Sequence, residues 1–128
     1  MNLNYFIKYW LPVILYAGFI FYLSSLSNPL EQIIPKNLLI YFDLKRFIYH
    51  IIEFGILSLL LYSALKINTK NPQTLAILIT ILYAITDESH QYFVLGRISS
   101  VFDILIDSFG AIAMQSIINV YNWLKPRK

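Results

Sequence analysis

Four stretches of this chain are apolar over roughly twenty residues each, and polar residues fall mainly between them or at their ends. The first runs from about Tyr5 to Leu26, with Lys8 near its start and Pro12 and Gly18 inside. About 20 apolar residues suffice to cross a bilayer as a helix. Internal Gly and Pro do not exclude one, because packed neighbours satisfy the freed backbone groups. A cleaved signal peptide is the competing reading. The weakly basic start, an apolar run longer than an h-region, and the poor cleavage site Ser24-Ser25-Leu26-Ser27 favour a retained helix.

Ser27-Asn28-Pro29 ends that segment. The following loop, up to Lys45, carries Pro29, Glu31, Pro35, Lys36 and Asp43 and the patch Leu38-Leu39-Ile40-Tyr41-Phe42. The patch is too short to span and is expected at the membrane interface, with Tyr41 as an anchor. The second apolar segment runs from about Arg46 to Leu65, the third from Gln73 to about Phe93, and the fourth from about Ser100 to Leu124. Asn68-Thr69-Lys70-Asn71-Pro72 is a short turn that sets the third segment antiparallel to the second. The pattern predicts an all-α, polytopic membrane protein. It is a single domain over 1–128, a four-transmembrane-helix bundle with helices at about 5–26, 46–65, 73–93 and 100–124.

Composition agrees with this. Hydrophobic residues make up 58% of the chain and charged residues 13%, about half the charged share of an ordinary soluble domain. The net charge of +3 is small and dispersed, which argues against a nucleic-acid partner. With no cysteine, disulfides, thiolate metal sites and cysteine nucleophiles are excluded.

The basic residues set an expected orientation. The side bearing the termini and the second loop holds Lys8, Lys66, Lys70, Lys125, Arg127 and Lys128, and the other side holds Lys36, Lys45, Arg46 and Arg97. By the positive-inside rule both N and C termini lie on the cytoplasmic side. The ionisable residues within the helices then gather at the extracytoplasmic ends of three helices: His50 and Glu53, Asp87 to His90, and Asp103 and Asp107. Antiparallel packing brings these ends to one level, so the sequence predicts one polar site.

Spacing sorts these residues onto faces. Arg46, His50 and Glu53 stand at i, i+4 and i+7 on the second helix, with Leu57 continuing the stripe in apolar form. On the third helix Thr80, Tyr83 or Ala84, Asp87 or Glu88, and Gln91 share a face. On the fourth, Asp103, Asp107, Gly110 and Met114 align, and Gly110 would let a neighbouring helix approach closely. Ser99 and Ser100 read as a loop and a helix cap, with Asp103 completing a capping-box-like spacing.

Polar groups can simply tie helices together. Yet each ion at membrane depth costs at least roughly 2.5 kcal/mol by insertion scales, and four apolar helices need no such group of acids. A metal site is a sharper alternative, because His50-x-x-Glu53 and Asp87-x-x-His90 are i, i+3 ligand pairs like those of di-metal bundles. Such short pairs carry little specificity, and the expectation is no metal and no cofactor. Acid–base chemistry by His50 with Glu53 or Glu88 needs the same proximity without a metal. The chain has neither a Gly-x-Ser-x-Gly elbow nor a His-Glu-x-x-His motif.

The run Asp87-Glu88-Ser89-His90-Gln91-Tyr92-Phe93-Val94-Leu95-Gly96-Arg97, followed by Ser99, Ser100, Asp103, Asp107 and Gly110, closely resembles the signature of the VanZ-like family. The block Arg46-x-x-x-His50-x-x-Glu53-Phe54-x-x-Leu57 is similar to that family's second-helix motif. Departures are Leu95 where the family often has Pro, Phe47 for a Lys, Phe54 for a Tyr, and Met114 for a Gly. The resemblance implies a small bacterial membrane protein of the cytoplasmic membrane. The family's name-giving member is associated with low-level resistance to the glycopeptide teicoplanin.

The expected ligand-binding set is Arg46, His50, Glu53, Asp87, Glu88, Gln91, Arg97, Asp103 and Asp107. Arg46 and Arg97 would hold an anionic, envelope-facing ligand, while Asp103, Glu88 and Glu53 orient the guanidinium groups. The expected partner is a membrane lipid, a lipid-linked cell-wall precursor or a glycopeptide-related ligand. Two rival readings remain open: an intramembrane enzyme with His50, Glu53 or Glu88 as acid–base residue, and a structural partner subunit. No extended small-x-x-x-small face speaks to the oligomeric state.

Overall fold

The computed structural model describes the backbone of residues 3–27, 36–97 and 99–125, and the side chains of those residues except 36–43. The described residues are almost entirely helical and hold no strand. They form four long helices: α1 (Leu3–Ser25), α2 (Lys36–Leu65), α3 (Pro72–Gln91) and α4 (Val101–Leu124). α1, α4 and the Leu44–Leu65 part of α2 are long and apolar enough to cross a membrane. α3 packs among them with twenty residues, about 30 Å of rise, its acidic end lowering its apolar character.

α1 widens into a π-helical turn over Phe6–Trp10, where the Leu11 N–H bonds back to the Phe6 carbonyl. Pro12 follows directly. It has no N–H and its ring crowds the preceding turn, so the wider turn accommodates it. α3 opens with Pro72 in its first turn, where a missing N–H costs nothing. α4 opens on Ser100, whose hydroxyl accepts the Phe102 N–H at 3.1 Å, the cap expected from the sequence.

α2 differs from expectation. It begins at Lys36 rather than near Arg46, so the patch Leu38–Phe42 belongs to a helix and not to a loop. Charged residues at 43, 45 and 46 suggest a boundary, but Lys36 to Phe54 contains neither Gly nor Pro to impose one. Thirty residues rise about 45 Å, so the first turns of α2 extend beyond the Leu44–Leu65 span. The expected break at Asn28-Pro29, the loop residues Glu31 and Pro35, and the interfacial contact of Tyr41 lie outside the described residues.

The bundle runs up and down. At one end the Tyr5 hydroxyl donates to the Ala64 carbonyl, and Gln73 Nε2 donates to Asn119 Oδ1 at 2.7 Å. That end therefore holds the start of α1, the end of α2, the start of α3 and the end of α4. Midway, the Tyr83 hydroxyl donates to the Ala17 carbonyl.

In lipid, helices associate through close packing and polar contacts more than through apolar burial. Small buried residues supply the first: Ala64 on α2, Ala76 and Ala84 on α3, Gly110 and Ala111 on α4. The larger core side chains are Ile20, Phe54, Leu57 and Leu61. Gln115 supplies the second, its amide donating to the Ser58 hydroxyl at 2.8 Å and the Ser58 carbonyl at 3.0 Å.

Candidate functional site

At the opposite end the polar residues of all four helices meet. Three levels of α2 and α4 are paired across their crossing. Arg46 is ion-paired with Asp103, one helical turn further in His50 Nδ1 donates to Asp107 Oδ1 at 2.8 Å, and below both Gly110 lies against Ile51. A carboxylate only accepts, so Nδ1 carries the proton and Nε2 is the ring nitrogen left for other contacts. Both aspartates are buried, with side chains 3% and 1% exposed, while Arg46 and His50 remain partly open. The His50 ring lies parallel to that of Phe54, with centroids 6.3 Å apart, which fixes its plane.

The second cluster ties α1 to α3. The Ser24 hydroxyl donates to Asp87 Oδ1 at 2.7 Å, and Gln91 Nε2 donates to Asp87 Oδ2 at 2.8 Å. Ser25 spends its hydroxyl proton on the Phe21 carbonyl, so at 2.9 Å it accepts from His90 Nε2. The Phe21 and His90 rings pack at 4.3 Å.

Arg97 closes this end. It follows a turn in which the Arg97 N–H bonds to the Val94 carbonyl at 3.2 Å and Gly96 has φ 81°. A positive φ at the third residue is the mark of a type II turn. Leu95 stands at the second position of that turn, where proline presets the backbone angle. The departure at Leu95 therefore leaves the turn intact. Beyond the turn, Arg97 Nε donates to the Leu26 carbonyl at 3.0 Å and one terminal nitrogen donates to the Leu23 carbonyl at 2.6 Å.

These elements surround a cavity of about 320 Å³. Its lining includes Ser24, Leu26, Arg46, Tyr49, His50, Glu53, Asp87, Gln91 and Arg97. Of the nine residues expected at a ligand site, six line it: Arg46, His50, Glu53, Asp87, Gln91 and Arg97. Asp103 and Asp107 stand behind, holding Arg46 and His50. The exposed lining residues, Leu26 and Tyr49, stand just past the end of α1 and on α2.

Glu88 lies elsewhere. One carboxylate oxygen accepts the Ser100 N–H at 2.9 Å, and the Glu88 carbonyl accepts from the Ser99 hydroxyl at 2.9 Å. Its side chain lines a separate groove with Tyr92, Phe93, Ser99, Val101 and Ile104. On α3 both Asp87 and Glu88 are buried but face different spaces, because adjacent helical positions are turned about 100° apart. The expectation that Glu88 and Glu53 orient the guanidinium groups is corrected accordingly. Asp103 holds Arg46, backbone carbonyls hold Arg97, and Glu53 has no hydrogen-bond partner among the described residues.

The two i, i+3 ligand pairs also separate. His50 turns to Asp107, whereas Asp87 and His90 are engaged by different serines of α1. Among the described residues no three His, Asp or Glu groups converge as metal ligands would. The contribution of α1 is absent from the expected site. Ser24 and Ser25 read in sequence only as a poor cleavage site, and backbone carbonyls at 23 and 26 leave no signal in residue type. Ser58 and Gln115 do carry a signal, since both are polar residues deep inside apolar segments.

Fold and site together define a small polytopic helical membrane protein with a polar cavity at one end of its bundle. The chain belongs to the VanZ/LLP1 family, whose model matches residues 9–122. Both motif blocks, Arg46 to Leu57 and Asp87 to Gly110, lie within the match. No curated protein and no solved structure matches it.

Proposed function

We propose that this VanZ-like protein binds the anionic head group of an envelope lipid or lipid-linked cell-wall precursor, in the cavity between α1, α2 and α3. The observation that carries the reading is that Arg46 and Arg97, from different elements, line one cavity. Arg97 uses its Nε and one terminal nitrogen on carbonyl oxygens, and a guanidinium has further N–H groups for a phosphate. A phosphate carries full negative charge and matches the guanidinium fork bidentately, which a neutral carbonyl oxygen does not, so a phosphate would be favoured over the carbonyls of Leu23 and Leu26. The positive-inside bias favours the outer face of a bacterial cytoplasmic membrane for this end, where head groups of cell-wall precursors are exposed. Altered glycopeptide susceptibility of the host is the expected physiological consequence.

The test is ligand-induced stabilisation in detergent. A ligand that binds the folded state raises its apparent stability by mass action. Short-chain phosphatidylglycerol should raise the melting midpoint of the wild type and have little effect on Arg97→Ala. Equal stabilisation of wild type, Arg97→Ala and the Arg46→Ala/Arg97→Ala double variant would sink the reading.

A second reading is favoured by one observation, the His50–Asp107 hydrogen bond at 2.8 Å. An imidazole held by a buried carboxylate and open on its other nitrogen is the arrangement of a positioned general acid–base. It predicts turnover of a lipid-linked substrate by purified protein, abolished in His50→Ala with unchanged folding.

A further inference from the structure

The charges around the cavity do not cancel residue by residue. Arg46 is matched by Asp103 and His50 by Asp107, both aspartates standing outside the lining. Arg97 is different, because its hydrogen-bond acceptors are neutral carbonyls. Asp87 is the mirror case: its two oxygens accept from the neutral Ser24 hydroxyl and Gln91 amide. Glu53, half-buried in the same wall, makes no hydrogen bond or ion pair among the described residues. Among the described residues, then, no carboxylate is hydrogen-bonded or ion-paired to Arg97 and no cation to Glu53 or Asp87, so charges of opposite sign stand unpaired in one cavity.

A purely anionic ligand would satisfy Arg97 and be repelled by Glu53 and Asp87. A ligand carrying both signs satisfies both. We propose that the preferred occupant is zwitterionic, an aminophospholipid head group with its phosphate on Arg97 and its ammonium on Glu53. Asp87, already held by two donors, adds a negative field in the same cavity.

The source is a lipid and not a soluble phosphoamine. The cavity is lined from two helices that are long and apolar enough to cross a membrane, and Leu26 and Tyr49 of its lining are exposed to the surroundings. Acyl chains would run along those helices while the head group enters. This inference rests on the anionic-head-group reading and narrows it.

The experiment compares three probes by the rise in melting midpoint of the detergent-solubilised full chain: dihexanoyl phosphatidylethanolamine, dihexanoyl phosphatidylglycerol and soluble phosphoethanolamine. Wild type should bind the ethanolamine lipid about tenfold more tightly than the glycerol lipid, the increment of one charge-assisted contact. Phosphoethanolamine should bind more weakly than its lipid. Glu53→Gln, which keeps the side-chain shape, should lower the ethanolamine-to-glycerol ratio by about tenfold. A wild-type ratio of one or less overturns the zwitterion assignment and leaves the anionic reading standing. Stabilisation by neither lipid overturns both. Equal effects of phosphoethanolamine and its lipid overturn the lipid source. The wild-type ratio is read without any variant, so the proposal stands or falls on it even where Glu53→Gln misfolds.

Discussion

A β-carbon on Gly110 would stand 2.4 Å from the carbonyl oxygen of Ile51 and 2.9 Å from its Cα. At this crossing α2 and α4 meet backbone to backbone. Ile51 follows His50 directly, and Asp107 lies three residues before Gly110, so the same crossing sets the His50–Asp107 distance.

Gly110→Ala should therefore force the helices apart rather than shift a flexible side chain. Overpacking of this kind costs about 1–3 kcal/mol. Thermal unfolding in detergent should show a clearly lowered midpoint. Gly18→Ala is the control, because nothing lies within 4 Å of a β-carbon there, and its midpoint should stay level or rise.

The attachment of α1 is tested through Ser24 and Asp87. Their hydrogen bond of 2.7 Å is buried and one partner is charged, a class worth about 1.5–3 kcal/mol. A double-mutant cycle of Ser24→Ala and Asp87→Asn, read by unfolding free energy, should return a coupling of that order. A coupling near zero would mean that α1 is not latched at this point.

The link between Ser58 and Gln115 makes a smaller prediction. Hydrogen bonds between helices in a membrane average about 0.6 kcal/mol in double-mutant cycles. Ser58→Ala should lower stability by about that amount. Replacing both residues with apolar ones of similar size should restore much of the loss, because no buried donor is then left unmet.

Orientation is tested by labelling, which the absence of native cysteine simplifies. Leu95 is exposed at the cavity end and Asn71 at the other. A membrane-impermeant maleimide applied to intact cells should label Leu95→Cys and spare Asn71→Cys until the cells are permeabilised. The reverse pattern would place the cavity on the cytoplasmic face.

Much of the architecture was legible in residue order. Apolar length marks a helix in lipid because an exposed backbone has no other way to satisfy its polar groups. The end of α3 was legible for a similar reason, since Asp87 to Gln91 stop an apolar run abruptly. The start of α2 was not. Asp43, Lys45 and Arg46 look like a boundary on a hydropathy scale, but a helix that leaves the membrane can continue through charged residues. The choice between Tyr83 and Ala84 on α3 was settled by packing, with Ala84 fully buried and Tyr83 reaching across to α1.

By itself the sequence determined the class of fold, the number of helices, their antiparallel order and the end at which the ionisable residues gather. Those follow from apolar length and from the cost of charge in lipid, both of which are properties of residue order. The tertiary structure decided which charges meet. Rotation of α3 about its own axis sent Asp87 into the cavity and Glu88 into a separate groove. The Gly110 crossing brought Asp107 to His50 and Asp103 to Arg46. Arg97 found carbonyls at the end of α1 instead of a carboxylate. Such pairings depend on helix rotation and crossing geometry, which hydropathy and spacing leave open by a full turn.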